Sequence, residues 1–195
     1  MYTVTHVLTA LIICLLLKDK FPQQSLFLFA LGSFLPDIDH LYMHRFLLHN
    51  IFFLLASLTA SRILLKSLAL PLGVLLHFLE DMLASNFNTL LYPITVIDLD
   101  LELWWLYSAW FNIVITLLFA SLLILKEKII LERRNLQDNI RFTLMMLASL
   151  SFGTPKASEI LLGYVSPILV EAARFASVTI LLTAYFKPYQ RDKST

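Results

Sequence analysis

The sequence predicts an all-α, polytopic membrane helical bundle, and three observations carry that expectation. First, the 195 residues are 58% hydrophobic and only 15% charged, where a soluble domain has about 45–50% and about 25%. A single soluble core of this size has too little interior to hide that excess, which also shows in a mean hydropathy of +0.76. Second, the apolar residues come in long runs, and one of them, Leu103 to Leu125, carries no charge. A spanning helix needs about 20 such residues. Third, charges gather where runs stop. This composition excludes a soluble enzyme, a disordered chain and a basic nucleic-acid binder, since a net charge of +1 leaves no footprint for DNA or RNA. One cysteine, Cys14, excludes a disulfide framework and a cysteine-based zinc site. The chain reads as one domain, 1–195, with a motif-bearing half over 1–95 and supporting helices over 96–195.

The elements follow in order. Thr3 to Leu17 is apolar and stops at Lys18, Asp19 and Lys20. Phe21 to Pro36 has Pro22 near its start and ends in Pro36-Asp37. Phe46 to Ser61 is followed by Arg62. Ser67 to Ala84 carries His77, Glu80 and Asp81. Leu103 to Leu125 lies between an aromatic group (Trp104, Trp105, Tyr107, Trp110) and the charged stop Lys126-Glu127-Lys128, the pattern of two membrane interfaces. Lys126 to Arg141 reads as a surface loop or amphipathic helix. Phe142 to Phe152 is short. Ile160 to Phe186 holds Glu171 and Arg174, three apart near its middle, which read as a buried ion pair closing the bundle or as the mark of an ion pathway. Several runs are too short to face lipid alone and read as half-buried helices of a bundle. The total is about five to seven membrane helices, some short or partial.

Lysine and arginine placement sets the orientation. Lys18, Lys20, Arg62, Lys66, Lys126, Lys128, Arg133, Arg134, Arg141, Lys187, Arg191 and Lys193 can share one side. With that side inside, the N-terminus lies outside and the C-terminus inside. The acidic segment Ser85 to Glu102, with Asp98, Asp100 and Glu102, falls outside as a solvated face or a lid.

On this topology the ionisable residues converge. His6 lies near the outer end of the first run. Asp37, Asp39, His40, His44 and His49 lie in the outer turn between the second and third. His77 and Asp81 lie toward the outer end of the fourth. Ionisable groups in a membrane domain are costly and mark function. His77 and Asp81 are i, i+4 and share a helix face, with Glu80 nearby. Imidazole and carboxylate together suit zinc and similar divalent metals. More than four candidate ligands suggests two ions, as in the clamps of phosphoester hydrolases, within a range of one to three. Taken singly, each residue has a plainer reading: His6 and His40 as polar packing, Asp37 as a helix cap, His77 and Asp81 as a hydrogen-bonded pair, and Cys14 as a small core residue.

The same residues form motifs. These are Thr5-His6 in an apolar helix; Gly32-Ser33-Phe34-Leu35-Pro36-Asp37-Ile38-Asp39-His40; His44-Arg45 followed by His49-Asn50; and Gly73-Val74-Leu75-Leu76-His77-Phe78-Leu79-Glu80-Asp81, with Tyr92-Pro93 downstream. In this order they resemble the YdjM-like family of membrane-bound metal-dependent hydrolases over roughly the first half of the chain. The family pattern commonly reads Arg-Gly-x-Thr-His-Ser, and here Phe46, Leu48 and Asn50 replace its small or hydroxyl residues. The resemblance implies an all-helical membrane domain with a hydrolytic metal site, distantly similar to zinc-dependent phospholipase C and related nucleases.

Two functions follow as expectations. The first is hydrolysis of a phosphoester in a membrane lipid or lipid-like small molecule by metal-activated water. His6, Asp37, Asp39, His44, His49, His77 and Asp81 would share the ligand roles; of Asp37 and Asp39, one would bridge metals and the other act as base. Arg45 would hold a phosphate oxygen. The second is a non-catalytic membrane protein with a structural metal, or an ion-binding or transport role. Both place the protein in the cytoplasmic membrane with the site near the outer face.

Overall fold

The computed structural model describes residues 3–41, 47–83, 109–126 and 167–186. Every regular element among them is helical, as the sequence predicts. In chain order these are α1 (Thr3–Leu17), α2 (Gln23–Phe34) with a 3₁₀ extension (Leu35–Leu41), α3 (Ile51–Ala60) with a π turn (Ser61–Leu65), α4 (Ala69–Leu83), α5 (Ala109–Lys126) and α6 (Pro167–Phe186). The stops match the chemistry. Pro22 stands just before α2 at φ −57°, an angle its ring presets. Asn50 caps α3, its side chain accepting from Phe53 N at 2.9 Å. Lys66 ends the π turn in the left-handed region at φ 50° and turns the chain into α4.

α1 is the central element. Val4, Val7, Leu8, Leu11, Cys14 and Leu15 are buried against Leu26 and Ala30 of α2, Phe119 and Leu123 of α5, and Val178, Leu181 and Leu182 of α6. Cys14 is a fully buried core residue, its thiol directed at the Leu26 carbonyl oxygen at 3.3 Å. The exposed faces are also apolar. Along α4, Leu72, Leu75, Leu79 and Leu83 form one outward stripe while His77, Glu80 and Asp81 are buried. A soluble amphipathic helix has the opposite arrangement. Yet among the described residues no helix is long and apolar enough to cross a membrane. α1 and α4 have 15 residues each, about 22 Å of helix against a hydrocarbon layer of about 30 Å. The expected Leu103–Leu125 helix is present from Ala109 onward. The expected run Phe142 to Phe152, the Lys126–Arg141 stretch beyond Lys126 and the acidic segment Ser85 to Glu102 lie outside the described residues, as do the side chains of Glu171 and Arg174.

The contact that places the site is the crossing of α2 and α4 at Gly32 and Gly73. A Cβ at Gly32 would overlap the Leu70 carbonyl oxygen, and one at Gly73 would overlap the Phe29 carbonyl oxygen. Two backbones meet where neither glycine has a side chain, the small-residue packing of helices in lipid. The crossing lies one turn below His77 and just before Asp37, so it sets how near they come.

Alanine is favoured over glycine within a helix by about 1 kcal/mol, so Gly73→Ala would stabilise an isolated helix. Here it is expected to destabilise the protein by about 1–3 kcal/mol through overpacking, read as a lower thermal midpoint in detergent. Leu72→Ala, at a residue 51% exposed, is the control. Equal stability of Gly73→Ala and wild type would contradict this crossing.

Candidate metal centre

Five residues from four elements meet at one end of the bundle. His6 comes from the start of α1, Asp37 from the 3₁₀ extension, His49 from the turn before α3, and His77 and Asp81 from the last turns of α4. Alternation of helix direction brings these ends together. All five are fully buried. Two overlapping ligand groups are formed, His6-Asp37-His77 and His49-His77-Asp81.

The histidine orientations follow from what holds each Nδ1. His77 Nδ1 donates to the Ser33 carbonyl oxygen at 2.8 Å. Ser33 lies at the end of α2, where carbonyls lose intrahelical partners, and Pro36 has no N–H to give the i, i+3 bond of a 3₁₀ turn. A carbonyl oxygen only accepts, so His77 carries its proton on Nδ1 and leaves a lone pair on Nε2. His49 Nδ1 donates to Asp39 Oδ2 at 3.2 Å, and Leu48 N donates to the same oxygen at 3.0 Å. His6 Nδ1 donates to Glu80 Oε2 at 2.6 Å. Each ring is thus held from behind, the arrangement usual for metal-binding imidazoles.

The Nε2 atoms face inward. His49 Nε2 and His77 Nε2 are 3.1 Å apart. Each lies 3.5 Å from Asp81 Oδ2, and they lie 3.5 and 3.6 Å from Asp37 Oδ1. His6 Nε2 lies 3.2 Å from Asp81 Oδ1, with its ring stacked on His77 at 3.9 Å between centroids. With neutral rings these are lone pairs facing lone pairs and carboxylates, an arrangement that a proton on a ring or a bound cation would satisfy. Bonds of about 2.0–2.1 Å to a tetrahedral zinc put its ligand atoms about 3.3 Å apart. Five separations among His49 Nε2, His77 Nε2, Asp37 Oδ1 and Asp81 Oδ2 fall at 3.1 to 3.6 Å. Nitrogen and carboxylate donors at these separations could therefore hold a metal ion.

Of the sequence-based ligand candidates, His6, Asp37, His49, His77 and Asp81 are brought together. Asp39 sits one layer out, at the back of His49. His44 and Arg45 lie outside the described residues, as does the side chain of His40. Two contributors were not singled out as site residues, Glu80 and the Ser33 carbonyl. Spacing places Glu80 near His77, but its partner is 74 residues away. Asn50, which departs from the family pattern, caps α3 directly after His49.

Residues 1–160 match the family described as YdjM inner membrane protein. No curated protein and no solved structure matches the chain.

His77→Ala and Asp81→Ala are each expected to lower the zinc content of the purified protein below one tenth of wild type while leaving its helical circular dichroism unchanged. Full zinc in both variants would mean that these residues do not hold an ion.

Proposed function

The chain belongs to the YdjM inner membrane protein family, and from that premise we propose that it is a polytopic membrane protein and a metal-dependent hydrolase of a phosphoester, with a membrane lipid or lipid-like molecule as substrate. The observation that carries this reading is the inward convergence of three Nε2 atoms, on rings whose Nδ1 atoms are already hydrogen-bonded, with two buried carboxylates. His6, Asp37, His49, His77 and Asp81 would hold the ion. His77 Nε2 has one lone pair and serves one ion, so the two overlapping groups favour a single ion on that atom. A zinc ion held there supplies a bound water that is nucleophilic near neutral pH. Asp39 keeps His49 in place, leaving Asp37 the ligand and proton-accepting duties that the sequence assigned to the pair. Arg45 keeps its assigned role of binding a phosphate oxygen.

The membrane placement rests on the inverted faces. The Leu72-Leu75-Leu79-Leu83 stripe, with Val114, Leu117 and Leu118 of α5, offers apolar surface outward. Helices this short are accommodated by local thinning of the bilayer and by packing in a bundle. The candidate metal site lies at one end of α1 and α4. Lys18, Lys20, Arg62 and Lys66 lie near the other ends of α1, α3 and α4. The positive-inside rule then puts the site near the outer face of the cytoplasmic membrane and the C-terminus inside.

Full burial of the five inward residues favours a second reading, a closed structural metal that staples the helix ends. Activity separates the two. Zinc-loaded protein in nanodiscs is expected to release a phosphorylated headgroup or inorganic phosphate from one class of phospholipid, detected by product mass, and His77→Ala to lose at least 100-fold of that rate. Bound zinc with no turnover across a headgroup panel, together with a lower thermal midpoint on chelation, would favour the structural reading.

A further inference from the structure

Glu80 decides what His6 does, and it does so from outside the ligand set. His6 lies between consecutive residues of α4. Its Nδ1 is 2.6 Å from Glu80 Oε2, and its Nε2 is 3.2 Å from Asp81 Oδ1. Stacking on His77 holds the ring plane, with 26° between the rings. A neutral imidazole has one proton for two carboxylate neighbours. With the proton on Nδ1, Glu80 accepts it and the Nε2 lone pair points into the centre. With the proton on Nε2, His6 becomes a hydrogen-bond donor to Asp81, is lost as a ligand, and occupies an oxygen of a residue that would hold the ion. The shorter contact is to Glu80, which is 7% exposed while His6 is fully buried, so water does not replace it. His77 has a backbone carbonyl for this purpose and His49 has Asp39; the inward nitrogens of both lie 3.5–3.6 Å from Asp37 and Asp81, farther than the 3.2 Å between His6 Nε2 and Asp81.

We propose that Glu80 is a positioning residue that makes His6 a metal ligand by holding the proton on Nδ1. The proposal rests on the metal reading given above.

The test is cobalt(II) binding to the full chain in detergent, with visible absorption and dissociation constant measured together. The variants are Glu80→Gln, Glu80→Leu, His6→Ala and the double variant His6→Ala/Glu80→Leu. Loss of an outer-shell partner weakens metal binding by about 10–100-fold, and that loss is expected for Glu80→Leu, with Glu80→Gln between it and wild type because its amide oxygen still accepts. The Glu80→Leu spectrum is expected to match that of His6→Ala, and the double variant to bind no more weakly than His6→Ala alone, as for residues that act as a unit. Leu11→Ala, a core change away from the centre, is expected to lower thermal stability without altering the spectrum. Wild-type affinity and spectrum in Glu80→Leu would overturn the proposal, as would additive losses in the double variant. If Glu80→Leu does not fold, a Glu80→Gln spectrum and affinity equal to wild type overturn it. A wild-type protein that binds no cobalt or zinc overturns the metal reading itself, a separate outcome from either of these.

Discussion

Three hydrogen bonds behind three imidazoles organise this end of the molecule. Ser33 O, Asp39 and Glu80 take the Nδ1 protons of His77, His49 and His6. What is left at the front is a set of lone pairs and carboxylate oxygens turned toward one another in a buried space. Buried charges and polar atoms persist only when paired or bound to a cation. The interior could therefore hold a cation, and the apolar helix faces around it keep that arrangement out of water.

The rest of the fold serves to hold those three acceptors in register. Ser33 and His77 are on different helices, and their bond depends on the close crossing at Gly32 and Gly73. His49 is placed by the Asn50 cap and by Leu48 N, which shares the Asp39 oxygen that holds the ring. His6 is placed by α1, whose buried apolar residues pack on α2, α5 and α6. Each ligand thus depends on a different kind of interaction: backbone proximity, a helix cap, and core packing. A centre assembled this way links the ends of four chain segments, so loss of any one support is felt at the others.

How much of this was readable from the residues alone differs by residue. His77 and Asp81 were legible as a pair because helical periodicity puts i and i+4 on one face. Their convergence with His6, Asp37 and His49 was legible because ionisable residues are so scarce in the first half that topology alone gathers them. The division between Asp37 and Asp39 was not. Two residues in a 3₁₀ turn are separated by roughly two-thirds of a turn, so one carboxylate faces the centre and the other faces away toward His49, a result no spacing rule distinguishes in a loop. The Ser33 carbonyl was hidden because backbone acceptors carry no mark in the sequence, although Pro36 three residues on hinted at a freed carbonyl. Glu80 was noticed only as a neighbour, since its bond to His6 requires the registers of α1 and α4. The all-helical class was legible from composition, while α1 through α4 carry that membrane-like composition on helices that are not individually long and apolar enough to cross a bilayer.

The central claim is that two or more imidazoles and the Asp37 and Asp81 carboxylates hold one ion. Zinc-edge X-ray absorption of the reconstituted full chain tests it most directly. The account predicts nitrogen and oxygen neighbours at about 2.0–2.1 Å, with the outer-shell scattering of at least two imidazole rings that is lost in His77→Ala. A six-coordinate shell of oxygens only, with no imidazole scattering, would contradict it.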